Sequence, residues 1–135
     1  MFKKMANSDV VGVILPGTTF FLGQTNYVDA KKMIDVGCEV ALATDFNPGS
    51  CTINSLPQIM FLAMSYCGMT FEQTFKAVTY NAAKAVNRKN EIGLIKENYN
   101  ADLLFWDIDN IYEIPYWFNS ERIIKIIKNG KLITL

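Results

Sequence analysis

The chain has 135 residues, 50% of them hydrophobic, and its thirteen basic residues balance thirteen acidic ones. This length allows one ordinary core or pieces of two domains. The balanced charge gives no broad positive field that would attract nucleic acid or an anionic membrane. The sequence also lacks a run of about eighteen apolar residues, the length that a helix needs to span a bilayer. The sequence contains no histidine, so any catalysis must rely on carboxylates.

The three cysteines, Cys38, Cys51 and Cys67, are scattered along the sequence. Their odd number and wide spacing do not match a zinc knuckle or a redox dithiol. Unpaired thiols are typical of proteins from a reducing compartment, and the first residues lack the apolar core of a signal peptide. We therefore expect a cytoplasmic protein.

The first third of the chain is predicted to form a strand, a helix and a second strand. Residues 10–15 are an apolar run typical of a strand covered on both faces. Apolar side chains recur at helical spacing over residues 27–36, Gly37 then ends the helix, and residues 39–43 form the second strand. Strands of such a unit are parallel, so the loops that follow them lie at the same edge of the sheet.

Two helices are predicted next. Ser55 can cap the first, which Gly68 can end, and the Thr-Phe-Glu-Gln sequence at residues 70–73 is a capping box that opens the second. The second helix carries an apolar stripe suited to packing on a larger body, formed by Phe71, Phe75, Val78 and Ala82.

From about residue 90 the pattern changes to short strands. They are predicted at residues 93–96, 103–108, 123–127 and 131–134, and the Asn-Gly pair between the last two is a strong hairpin signal. The chain is therefore divided into an α/β part, residues 1–89, and a small β part, residues 90–135.

The loop after the second strand carries the densest group of functional side chains: Asp45, Asn47, Gly49 and Ser50. Ligand sites of parallel α/β folds lie at the carboxyl ends of strands, where Asp45 stands. Its carboxylate could bind a divalent metal and take a proton from the attacking water. An aspartate before Asn-Pro-Gly is also a good turn former. Structural explanations exist for its neighbours too: a turn at Asn47, positive φ at Gly49 and a helix cap at Ser50.

Residues 43–50, with the sequence ATDFNPGS, resemble the segment after the eighth barrel strand of imidazolonepropionases, a family of the amidohydrolase superfamily. VILPG at 13–17 similarly resembles the end of their seventh strand, and EIPY at 113–116 is a further match closer to this family itself. Collinear with these, three segments resemble C-terminal segments widespread in the superfamily: AVTYNAAKA at 77–85, ADLLFWD at 101–107 and IKNG at 127–130. Two departures are Asn98, where a glycine is usual, and Trp117, where relatives often carry histidine. Asparagine also accepts the left-handed backbone conformation.

The resemblance implies that residues 1–89 are the last two βα units of a (β/α)8 metal-dependent hydrolase barrel and that residues 90–135 belong to a small composite β-sandwich domain. It implies opening of the imidazolone ring of 4-imidazolone-5-propanoate to N-formimidoyl-L-glutamate, in histidine degradation, with zinc or iron. Asp45 would be a metal ligand and proton shuttle. Asn47, Gly49 and Ser50 would contact this small-molecule substrate.

A complete barrel of this kind needs about 250 residues, and a catalytic zinc normally has three protein ligands. The sequence is therefore expected to be a C-terminal fragment that is inactive alone, from a parent enzyme that could be a homodimer. One alternative is another amidohydrolase, such as a cyclic-amide hydrolase or a nucleobase deaminase. A second alternative is a non-catalytic remnant or interaction module that binds a partner chain.

Overall fold

The computed structural model describes residues 2–119 and 121–134. Within them an α/β part precedes a small antiparallel sheet. The helices are α1 (Phe2–Ala6), α2 (Pro16–Phe21), α3 (Ala30–Asp35), α4 (Leu56–Tyr66), α5 (Phe71–Val78), α6 (Tyr80–Ala85) and α7 (Glu113–Tyr116). The strands are β1 (Val11–Ile14), β2 (Glu39–Leu42), β3 (Leu103–Trp106), β4 (Ile123–Lys128) and β5 (Lys131–Ile133).

Strands β1 and β2 are parallel neighbours, which confirms the predicted βαβ unit. Ile14 lies opposite Leu42 in the register, and both side chains enter the core together with Val40. The core continues into α4 through Ile59 and Met60. Burial of these aliphatic side chains fixes which face of the two-stranded sheet meets the helices, because neighbouring residues of a strand point to opposite faces.

The opposite face of β1 is exposed at Val13. Val13 is 48% exposed, although the apolar run of residues 10–15 predicted cover on both faces. That prediction is wrong at Val13, whereas Ile14 on the other face is only 7% exposed. The two strands thus have one face that packs in the core and a second face that is exposed at Val13.

Helix α3 is shorter than the predicted helix over residues 27–36. Asp29 caps it, because its carboxylate accepts a hydrogen bond from the backbone N–H of Lys32 at 2.9 Å. Tyr27 lies outside the helix and stacks on Tyr66, with ring centroids 4.7 Å apart. Gly37 ends the helix with a φ of +92°, as predicted.

The punctuation of α4 and α5 is confirmed. Ser55 accepts a hydrogen bond from the backbone of Gln58, and Gly68 follows α4 with a φ of +70°. Both bonds of the capping box between Thr70 and Gln73 are present, at 2.9 and 3.3 Å.

The apolar stripe over residues 71–82 does not belong to a single helix, which corrects the prediction. Thr79, with φ −115° and ψ −94°, separates α5 from α6. Its hydroxyl donates to the Phe75 carbonyl at 2.7 Å, a side-chain bond that competes with the helix ladder. Asn81 then donates its amide to the Val40 carbonyl at 2.7 Å, so that α6 is oriented by a polar contact with β2.

The antiparallel sheet has the order β3-β4-β5. Asn129 and Gly130 both have positive φ values, 50° and 75°, as a two-residue type I′ hairpin requires. The strand predicted at residues 93–96 is absent, and the prediction is wrong. Gly93 is left-handed there, and a Cβ at this position would lie 2.9 Å from the Thr79 carbonyl oxygen, so the segment turns against α6. Asn98 has a φ of 66°, the left-handed backbone conformation that asparagine was expected to adopt there.

Asp102 ties this hairpin to the preceding segment. Its carboxylate accepts from the Lys128 ammonium at 2.5 Å and from the Asn129 backbone N–H at 2.8 Å. These two bonds, the first of them larger in effect, hold the pKa of Asp102 below its usual value. A lowered folded-state pKa means that the contribution to stability is present above the unfolded pKa and is lost as pH falls through the folded one.

We therefore expect the Asn129 amide to lose protection from hydrogen exchange when the pH is lowered through the range of carboxylate titration. Asp102→Asn should be less protected at neutral pH and should lack most of this pH dependence. Asp109→Asn, an exposed aspartate with no side-chain hydrogen bond among the described residues, is the matched control. An Asn129 amide that responds equally to pH in Asp102→Asn and in the unchanged chain would contradict the assignment.

None of the helices in the described part of the chain has both the length and the apolar composition needed to cross a membrane.

Candidate active site

The loops after β1 and β2 meet at one edge of the sheet, as the parallel arrangement predicted. The backbone N–H of Ala43 donates to the Ile14 carbonyl where the strands end. Beyond this point the Thr18 hydroxyl donates to Oδ2 of Asp45 at 2.8 Å, a contact between residues 27 positions apart. The carboxylate predicted to bind metal is therefore held by a side chain from the neighbouring loop.

Asp45 has a left-handed backbone conformation, with a φ of 52°. Aspartate and asparagine accept this conformation more readily than most residues do. Its carboxylate does not form the turn that the sequence left open as an alternative, since no backbone N–H among the described residues donates to it. Oδ1 has no hydrogen-bond partner in this part of the chain, and the residue is exposed. The geometry favours a carboxylate with one oxygen fixed and one available.

Asn47 folds the loop instead. Its amide nitrogen donates to the Asp45 carbonyl at 2.7 Å and to the Ser50 hydroxyl at 3.0 Å. Its amide oxygen accepts from the backbone N–H groups of Gly49 and Ser50, at 2.9 and 2.8 Å. Both donors of the amide are thus used inside the loop. Contact of Asn47 with a substrate remains a prediction, and its observed role is to order residues 45–50.

The structural alternatives for Gly49 and Ser50 are wrong. Gly49 is exposed and does not have a positive φ, so the backbone conformation at this position does not require glycine. Ser50 does not cap the next helix, because Ser55 does. Substrate contact by these two residues remains a prediction.

Cys51 and Gly17, which the sequence patterns did not assign to the site, pack beneath the loop of Asp45 on the side of α4. Cys51 is buried and donates its thiol to the Thr44 carbonyl at 3.3 Å. A Cβ at Gly17 would lie 2.6 Å from Cδ1 of Ile59 and 3.2 Å from Sγ of Cys51. Glycine at position 17 thus lets the first turn of α2 pack directly on α4, and this places Thr18 beside Asp45.

Whether the chain can bind a metal ion depends on the ligands that its side chains supply. A carboxylate with a free oxygen at this sheet edge fits as one ligand of a divalent ion. Within residues 2–119 and 121–134, however, no group of three or more histidine, cysteine or acidic side chains could hold a metal ion. Asp45 accordingly fits as one member of a larger site.

The role of Asn47 can be measured through the amides that it binds. We expect Asn47→Ala to speed hydrogen exchange at Gly49 and Ser50, by about fivefold at each amide if its bond contributes about 1 kcal/mol. Exchange in β1 and β2 should be unchanged. Asn54→Ala, which changes an exposed asparagine without a side-chain hydrogen bond among the described residues, is the control. Equal exchange at Gly49 and Ser50 in the two variants would show that Asn47 does not order the loop.

Comparison with known proteins places this geometry in a family. Residues 9–133 match the amidohydrolase family. The chain belongs to that family. The match includes both sheets and the whole loop of Asp45, so the family relationship extends over nearly all of the amidohydrolase chain.

Curated relatives of this amidohydrolase are longer. It is 47% identical to an imidazolonepropionase of Alkaliphilus oremlandii and 44% identical to one of Bacillus velezensis, in each case over 131 residues. Each alignment covers 97% of this chain and 31% of the relative. The chain thus spans about a third of the length of the relatives that it matches.

Solved structures show the same fold. An adenosine deaminase from Xanthomonas campestris with bound zinc superposes with a TM-score of 0.84 at 17% identity, over 97% of this chain and 33% of that one. Guanine deaminase from Escherichia coli superposes with a TM-score of 0.79 at 15% identity, over 98% and 35% of the two chains. At these identities the similarity concerns the amidohydrolase fold alone.

Proposed function

We propose that this amidohydrolase chain is the C-terminal part of an imidazolonepropionase-type hydrolase. The reaction is the hydrolytic opening of the ring of 4-imidazolone-5-propanoate to N-formimidoyl-L-glutamate, a step of histidine degradation. The observation that carries the proposal is the 44–47% identity with imidazolonepropionases across 97% of the chain. The free oxygen of Asp45 at the sheet edge agrees with it.

In this proposal residues 1–89 supply the last two βα units of a (β/α)8 barrel, and residues 90–135 supply part of a small β-sandwich domain. The parallel pairing of β1 with β2 supports the first assignment. The uncovered face at Val13 is also what two strands taken from a barrel would show, because the interior of a barrel is filled by side chains from its other strands. The antiparallel sheet β3-β4-β5 supports the second. Three buried, unpaired cysteines agree with a reducing, cytoplasmic location.

Ring opening requires water to add to the ring carbonyl carbon, and the ring C–N bond then breaks as its nitrogen gains a proton. Zinc or iron, when bound, would supply a water molecule whose pKa is lowered to about 7. Asp45 would hold the ion as one of its ligands. Its carboxylate would also accept the proton of the attacking water and return it to the departing nitrogen.

The rest of the loop would bind the substrate. Asn47 holds the backbone of Gly49 and Ser50 in a fixed turn. Gly49 is exposed, and the Ser50 side chain is half-buried, so both lie where a small molecule at the sheet edge could contact them. Ordering such a loop before binding lowers the entropy cost of recognition.

A hybrid enzyme tests the proposal. In what we call the graft, this chain replaces the segment that it matches in the Alkaliphilus oremlandii imidazolonepropionase. We expect the graft with zinc or iron to open the imidazolone ring, and the chain alone to show no turnover, because the chain provides one ligand of a site that normally has three. Turnover by the chain alone, or deamination of guanine or adenosine by a graft that does not open the imidazolone ring, would contradict it.

A further inference from the structure

The carboxylate of Asp45 has a single hydrogen-bond donor among the described residues, the hydroxyl of Thr18. An aspartate on an exposed loop would otherwise rotate freely about its side-chain torsions. With Oδ2 bonded at 2.8 Å, Oδ1 is left as the available oxygen. The neutral Thr18 hydroxyl thus fixes one carboxylate oxygen and leaves the other without a donor among the described residues.

Thr18 is itself well fixed. It lies in the first turn of α2, where its backbone N–H donates to the Leu15 carbonyl at 3.2 Å and its carbonyl accepts from Leu22 at 3.0 Å. The preceding Gly17 is buried against Ile59 and Cys51, so the turn cannot move away from α4 without opening this contact. Threonine is also stiff at χ1 because its Cβ is branched. The donor is therefore held more rigidly than the carboxylate that it binds.

The loops do not depend on this bond to stay together. The backbone bond from Ala43 to Ile14 already joins the ends of β1 and β2, and the thiol bond from Cys51 to Thr44 closes the loop after β2 on itself. Packing of Gly17 on Ile59 adds a third contact. The hydroxyl of Thr18 consequently acts on the orientation of the Asp45 carboxylate more than on the position of the loop.

We propose that Thr18 is a positioning residue for Asp45, which orients the carboxylate through Oδ2 so that Oδ1 is presented to a metal ion. The inference rests on the proposed function, because it assumes that Asp45 is a ligand. Hydrogen bonds from outer-shell groups to ligating carboxylates fix the ligand's orientation, and their loss typically costs about 10- to 100-fold in metal affinity or activity.

The test compares three variants of the graft with the unchanged graft. Thr18→Val removes the hydroxyl and keeps the shape, Thr18→Ser keeps the hydroxyl, and Thr19→Val makes the same change at the next residue, which has no side-chain hydrogen bond among those described. We measure the zinc dissociation constant with a competing chelator, the kcat and KM for ring opening, and the midpoint of thermal unfolding.

Thr18→Val is expected to weaken zinc binding and to lower kcat by about 10- to 100-fold, with little change in KM or in the unfolding midpoint. Thr18→Ser should recover most of the loss, and Thr19→Val should match the unchanged graft. If Thr18→Val had the same zinc affinity and kcat as the unchanged graft, the inference would be overturned and the proposed function would stand. An unchanged graft that neither binds zinc nor opens the ring would overturn both.

Discussion

Replacing Asp45 by asparagine in the graft is expected to lower kcat for ring opening by about 10²- to 10⁴-fold, the range that a positioned acid–base group contributes. Asparagine keeps the size of the side chain and also accepts the left-handed backbone of this position, whose φ is 52°. The substitution therefore removes the charge and the proton acceptor without forcing the loop to refold. Zinc content should fall as well, because an amide oxygen is a weaker ligand than a carboxylate.

Asp109→Asn in the graft is the matched control, since it removes a carboxylate of the same chain outside the loop of Asp45. Its kcat and zinc content should equal those of the unchanged graft. If Asp45→Asn also retained the full kcat and zinc content, Asp45 would be a loop residue without a part in the reaction.

The second large effect is expected at Gly17. A methyl group there would lie 2.6 Å from Cδ1 of Ile59, far inside van der Waals contact. Gly17→Ala should lower the free energy of unfolding of the chain by about 1–3 kcal/mol, the usual cost of overpacking a core. Urea denaturation followed by circular dichroism measures this difference.

Ile59→Val removes the methyl group, Cδ1, with which the new Cβ collides. The double variant Gly17→Ala/Ile59→Val should therefore lose less stability than the sum of the two single changes, a coupling that a double-mutant cycle isolates. Gly49→Ala is the control, because its Cβ would meet Oδ1 of Asn47 only at 3.4 Å. Additive losses in the double variant would show that the contact between Gly17 and Ile59 does not limit the packing of α2 on α4.

Local signals in the sequence were sufficient for much of the fold. The apolar runs that became β1 and β2, the capping box at Thr70, and the Asn-Gly turn before β5 each depend on residues close together in the chain. Such patterns act through backbone sterics and neighbouring hydrogen bonds, which a sequence displays directly. The meeting of the two loops at one sheet edge followed from parallel pairing alone.

The errors arose where distant residues decide local structure. After the break at Thr79, α6 is oriented by Asn81, which binds the carbonyl of Val40, 41 positions earlier. The turn in place of a strand at residues 93–96 depends on Gly93 packing against Thr79. Helix α2 was not among the predicted elements, although Pro16 at its first position was an available signal. None of these contacts has a periodic signature.

The same distinction applies to the site. Asp45 was predicted from its place after a strand and from the resemblance of its loop to a family. Thr18 was not, because its bond to Asp45 joins two loops and depends on the buried glycine before it. A hydroxyl after the neighbouring strand, at the same edge, was the only clue that the sequence offered.

The central claim is that Asp45 is a metal ligand of an imidazolonepropionase-type site, and a crystal structure of the zinc-loaded graft tests it most directly. Anomalous scattering would locate the ion. We predict an Asp45 oxygen at about 2.0–2.2 Å from zinc, the usual distance for a carboxylate ligand. The Thr18 hydroxyl should remain within hydrogen-bond distance of the other oxygen. A fully occupied zinc site in the barrel whose ligands do not include Asp45 would contradict the claim.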